Sequence, residues 1–145
     1  MTSLCPCGLP APYADCCGRY HTNDTDASVP APTAEALMRS RYSAYVRQLG
    51  DYLLATWHAS TRPASIDFVD APKWLGLTVK QQSTKSLPAD LQKNPDNATF
   101  DDQSQATVEF IARYKIGGRA HRLHETSRFV LADGRWFYLD GDIHS

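Results

Sequence analysis

All four cysteines of this 145-residue chain fall within thirteen positions near its start, as Cys5-Pro6-Cys7 and, after eight intervening residues, Cys16-Cys17. The stretch around them carries Gly8, Pro10, Pro12 and Gly18 with almost no apolar periodicity, so it cannot bury a core of its own. Something other than hydrophobic burial must order it. Zinc takes four thiolates in a tetrahedron at about 2.3 Å, and a closed set of four leaves no position for substrate. The expected cofactor is therefore one structural Zn2+ held by Cys5, Cys7, Cys16 and Cys17. Pro6 stiffens the first pair, Gly8 turns the chain back so that amides face the sulfurs, and Asp15 begins the turn that carries the last pair. The competing readings are free thiols, two disulfides, or His21 in place of one cysteine. A reducing cytosol works against the disulfides and favours metal.

The rest of the chain has the material for one core. Hydrophobic residues make up 42% and charged residues 21%, which fits one globular domain with a small appendage. Fifteen Lys and Arg against sixteen Asp and Glu leave a net charge of −1, too little positive field for general nucleic-acid binding. No apolar run approaches the roughly 20 residues of a membrane span, and no basic and apolar leader precedes Cys5, which also disposes of a lipoprotein site at Leu4-Cys5. A cytoplasmic protein is expected.

Residues 1–21 form the cysteine unit, 22–32 a polar, proline-bearing linker, and 33–145 the main domain. Thr33 is placed to cap a helix in which Leu37, Met38, Tyr42, Tyr45, Val46 and Leu49 recur at spacings of three and four. Gly50 should end it. Asp51 then caps a short helix that runs through Trp57 and His58 and stops before Pro63. A strand follows from Leu75, and the polar stretch 84–104 reads as a long loop. In the next strand Ala106, Val108, Phe110 and Ala112 alternate with Thr107, Glu109 and Arg113. Gly117-Gly118 and Asp133-Gly134 mark two hairpins around a strand that puts His121, Leu123, Glu125, Ser127, Phe129 and Leu131 on one face. Helices first and an antiparallel meander afterwards predict an α+β class, the helices packed on one face of a curved sheet.

CPCG, the eight-residue gap and CCG resemble the SEC-C zinc motif. LMRSRYSAYV, DYLLATWHASTRP, WLGLTV, HETSRFV and RWFYLDG, in that order, resemble the YchJ family of bacterial proteins. The resemblance implies a nuclear-transport-factor-2-like cone behind the knuckle. It brings no activity with it.

Cones of this kind often hold a pocket between helices and concave sheet, so polar residues on the inner face are the ones to follow. Glu125 is the leading one, because a lone carboxylate there is costly. Arg39 or Arg41 is expected to meet it, or Asp140, as a forked pair. The expected pocket holds Arg39, Arg41, Tyr42, Trp57, His58, Glu125, Trp136, Tyr138 and Asp140. The same residues serve a bland reading in which the pair fixes helix on sheet and the aromatics are packing. Two functions follow. One is a non-catalytic accessory protein whose knuckle meets a protein partner and whose cone takes a small molecule or peptide. The other is a small enzyme in which His58 works with Glu125 or Asp140 as acid and base.

Overall fold

The computed structural model describes residues 4–21, 31–69, 71–86, 104–132 and 135–144. The cysteine unit contains a 3-10 turn at Tyr13–Asp15 and one helical turn, α1, at Gly18–His21. Two helices follow, α2 at Ala34–Arg47 and α3 at Gly50–Ala55. Four strands complete the fold: β1 at Lys73–Ser86, β2 at Ser104–Ile116, β3 at Arg119–Ala132 and β4 at Arg135–Ile143. They pair antiparallel in chain order, β1-β2-β3-β4. The expected α+β class holds.

Thr33 caps α2 as anticipated, its Oγ1 accepting from the Ala36 amide at 3.0 Å. The helix ends earlier than Gly50, however. Gln48 takes the left-handed conformation (φ 58°), and its amide closes on the Ala44 and Tyr45 carbonyls, leaving Gly50 to open α3. That second helix is also shorter than expected, stopping at Ala55. Trp57 and His58 have left it for a parallel bridge to Tyr138: the His58 amide donates to Tyr138 O, and the Tyr138 amide to Thr56 O, both at 2.8 Å. Backbone pairing with a distant strand outcompetes one more helical turn.

Ala106, Val108, Phe110 and Ala112 turn inward from β2 and meet Leu37, Met38, Tyr42 and Leu53 from the helices and Phe129 from β3. Register shifts at Trp74/Gly76, Val79/Gln81 and Arg128/Phe129 interrupt the ladders. Such bulges add bend and twist, which long strands need to curl around helices. The Gly117-Gly118 turn forms with φ of 58° and 81°. Of the polar stretch expected as a loop, 84–86 and 104 belong to strands β1 and β2, while 87–103 lie outside the described residues, as do 22–30 of the linker and the Asp133-Gly134 turn.

The cysteine unit is not a separate knob. Its four cysteines and Tyr20 belong to the same buried cluster as Leu37, Met38, Tyr42 and Phe129. Arg39 donates to Cys7 O at 2.9 Å, His21 Nε2 to Ser40 O at 2.9 Å, and Arg47 lies 4.2 Å from the Tyr13 ring centre. Helix α2 is the floor on which the unit rests.

Candidate metal centre and cone cavity

Cys5, Cys7, Cys16 and Cys17 are buried, unpaired by disulfides, and bring their sulfurs within 4.8 Å of one another. Local chain geometry assembles them. Gly8 turns with φ 96°, the Cys5 amide donates to Ala11 O at 2.8 Å, and the 3-10 turn delivers Cys16 and Cys17 at the start of α1. At Gly18 a side chain would press on Tyr13 O, at 2.7 Å, so only glycine lets that turn close.

Cys7 is drawn towards its thiolate, Cys16 and Cys17 towards the protonated thiol. Hydrogen bonding from Cys17 above all, helped by the Leu9 amide, draws the Cys7 thiol down to about 5 against the cost of its burial. Burial first, then the bond to Cys7, pushes Cys16 up to about 11; the bond to Cys7 first, then burial, pushes Cys17 higher still. Four buried thiols at this spacing therefore fit a cation whose charge releases the remaining protons. His21 is no part of that set. Its Nδ1 faces Tyr13 OH at 2.6 Å and its Nε2 the Ser40 carbonyl at 2.9 Å, so both ring nitrogens are engaged.

On the other side of α2, a cavity of about 310 Å³ opens between helices and sheet. Its walls include Met38, Arg41, Tyr42 and Tyr45 from α2, Trp57, Trp74 from β1, and Tyr138 from β4. Phe110, Leu123, Glu125, Ser127 and Phe129 pave its sheet side. Arg41 is 5% exposed and donates through Nη1 to Leu53 O and Thr56 Oγ1, each at 2.7 Å. Its guanidinium lies between Trp57 and Tyr138, 4.9 and 4.7 Å from the ring centres. Burial lowers its pKa from the usual value, opposed by nearby Tyr45, Tyr138, Tyr52 and Glu125. Glu125 Oε2 accepts from Ser127 Oγ at 2.7 Å and lies directly over Gly141, where a methyl group would collide with it. Trp57 Nε1 is buried and, among the described residues, has no acceptor.

The forked pair expected between an α2 arginine and Glu125 or Asp140 does not form. Arg41 instead donates to the Leu53 carbonyl near the end of α3 and to the Thr56 hydroxyl. Arg39 turns to Glu35 at 2.8 Å and to the cysteine unit. Asp140 sits half exposed and pairs with Arg128 at 2.5 Å. Of the residues expected at the pocket, Arg41, Tyr42, Trp57, Glu125 and Tyr138 line the cavity, whereas Arg39, His58, Trp136 and Asp140 do not. His58 is buried, its Nδ1 accepting from the Ser60 amide at 3.1 Å and its ring edge-on to Phe137. His121 stacks on Tyr114, and His124 is half buried against Glu109. Phe110, Ser127 and Phe129 were absent from the expected pocket, although their alternation on β2 and β3 already put them on its face.

A buried four-cysteine unit set on the helices of a bent antiparallel sheet defines a class, the SEC-C motif joined to a nuclear-transport-factor-2-like domain. The SEC-C motif matches residues 1–19, and the family described as "YchJ, middle NTF2-like domain" matches 33–141. The chain belongs to this family, UPF0225 or YchJ. A UPF0225 protein of Polaromonas naphthalenivorans is 51% identical over 98% of both chains, and one of Methylibium petroleiphilum 53% over 96% of this chain and 88% of that one. Among solved structures, a SEC-C motif containing protein from Rhodopseudomonas palustris superposes over the full length of both chains at a TM-score of 0.73 and 31% identity. Another from Psychrobacter arcticus does so at 0.69 and 28% identity, over 97% of this chain and 82% of that one.

Proposed function

We propose that the chain is a non-catalytic cytoplasmic accessory protein in which Cys5, Cys7, Cys16 and Cys17 close on one structural Zn2+ and the cone cavity holds a small, largely apolar ligand or peptide side chain. The cavity carries this reading. Its wall is aromatic, which supplies apolar contact area with little ordering cost, and its few polar groups fix orientation. Glu125 offers a carboxylate to a donor on the ligand. An acid–base reading that joins His58 to Glu125 or Asp140 draws no support, since neither His58 nor Asp140 lines the cavity.

Four thiolates favour zinc over the hard cations, which prefer oxygen. Native mass measurement on protein taken from cell extract without chelators tests both halves: one zinc and a retained small molecule are expected, with ligand occupancy reduced in Glu125→Gln. Protein carrying neither zinc nor ligand, and binding none from an apolar amine or peptide panel, would overturn the proposal.

A protein partner fits the rim of the cysteine unit, where Leu4 is 64% and Leu9 38% exposed. Substituting the cysteines is a poor probe because they share the main core. A Leu4→Ser, Leu9→Ser variant leaves that core alone, and equal recovery of a partner by it and the parent chain would count against recognition through this rim.

A further inference from the structure

On the face of the sheet opposite the cavity, three groups with metal-binding chemistry converge. Glu109 alternates with the inward Val108 and Phe110, and His124 with the cavity residues Leu123 and Glu125, so both point away from the helices. The ladder brings them together. Glu109 pairs with Thr126, two residues along from His124, and Glu125 pairs with Ile143, which sets His144 beside His124. The His144 amide donates to His124 O at 2.8 Å, extending β4 by one rung.

The side chains use that register. His124 Nε2 lies 2.6 Å from Glu109 Oε2, and the imidazoles of His124 and His144 stack at 4.3 Å between centres and 29° between planes. One ligand atom from each of the three residues falls within 4.8 Å of the others. His144 Nε2 is held by Thr126 Oγ1 at 2.7 Å.

We propose that Glu109, His124 and His144 form a second metal site, for a first-row divalent cation such as Zn2+, separate from the cysteine cluster. Two imidazoles and a carboxylate are the donors such ions take, in contrast to the thiolates of the first site. Bond lengths of 2.0–2.2 Å place tetrahedral donors about 3.4 Å apart. The Glu109–His124 contact needs to open by less than an ångström as the cation takes the place of the proton the two share. The remaining donor is already within the 4.8 Å limit, and side-chain rotation closes the difference. Three protein ligands leave the fourth position to water, and with Thr126 Oγ1 on His144 Nε2 the site would use His144 Nδ1, the hydroxyl then acting as the outer partner that metal-bound histidines take.

The test uses the full chain with its cysteine cluster first saturated with Zn2+. Calorimetric titration with further Zn2+ should show one additional equivalent. Co2+ added to the zinc-loaded chain should give the weak visible bands of nitrogen and oxygen coordination with no thiolate charge-transfer band. His144→Ala and Glu109→Gln should lose that equivalent, and Thr126→Val should weaken it about tenfold. In the unaltered chain, side-chain nitrogen resonances of His124 and His144 should move on adding Zn2+ while those of His121 stay, a readout that needs no variant. Absence of a second equivalent, equal uptake by folded His144→Ala, or unmoved His124 and His144 resonances would overturn the site.

Discussion

Burial costs tyrosine its acidity, and here it does so at several places around α2. The phenols of Tyr42, Tyr52 and Tyr138 are pushed up to about 12, in each case chiefly by burial. Only the unfolded chain ionises these groups near 10, so the stability they contribute is complete below about pH 10 and drains away as pH rises towards 12. For Tyr42 and Tyr52, 5% and 3% exposed, the loss amounts to about 2–3 kcal/mol each. Tyrosinate absorbance and circular dichroism followed through that range should change together for these residues. Ionisation of all seven tyrosines near pH 10 with the fold intact would contradict this. Gly141 makes a second prediction at this scale. Adding a methyl group would displace the Glu125 carboxylate, so Gly141→Ala should cost about 1–3 kcal/mol and weaken any cavity ligand that binds Glu125, measured by denaturant midpoint and by binding.

Among the elements, α2 and β2 were legible because their signals are local. Thr33 followed by apolar residues at helical spacing gives a start and a face, and the alternation through Ala106, Val108, Phe110 and Ala112 gives an inner side. Thr33→Ala removes the hydrogen bond to the Ala36 amide and should cost about 1 kcal/mol in urea unfolding. An unchanged midpoint would mean that water caps α2 as well. What was not legible depends on distant partners. Gly50 has the residue type of a helix stop, but the stop falls at Gln48 because its amide can close there. Trp57 and His58 read as helix by pattern, and only the presence of Tyr138 across the fold converts them to a bridge. Arg39 and Arg41 were expected at the pocket alike, and the choice Arg41 makes of Leu53 O over Glu125 follows from where α3 ends. The four cysteines were visible from spacing alone, whereas the Glu109, His124 and His144 cluster exists only through strand register.

For the molecule as a whole, the consequential finding is that the cysteine unit and the cone share one interior. Were the cysteine unit and the cone separate sources of stability, chelation would disorder residues 1–21 and spare the rest. The shared cluster argues for a wider effect: stripping the proposed zinc should also lower amide protection along α2, because Ser40, Ser43 and Arg39 hold to His21, Cys5 and Cys7. Protection lost only within 4–21 would restore the independent view. The same seating bears on how the polypeptide can be shortened. The ring of His21 stands edge-on to Tyr52, 4.6 Å between centres, and Ser40 binds that tyrosine's hydroxyl. A chain trimmed to begin at Thr33 would strip the cover from this tyrosine and from the two serines beside it, so the cone on its own should be sticky in solution rather than a well-behaved remainder.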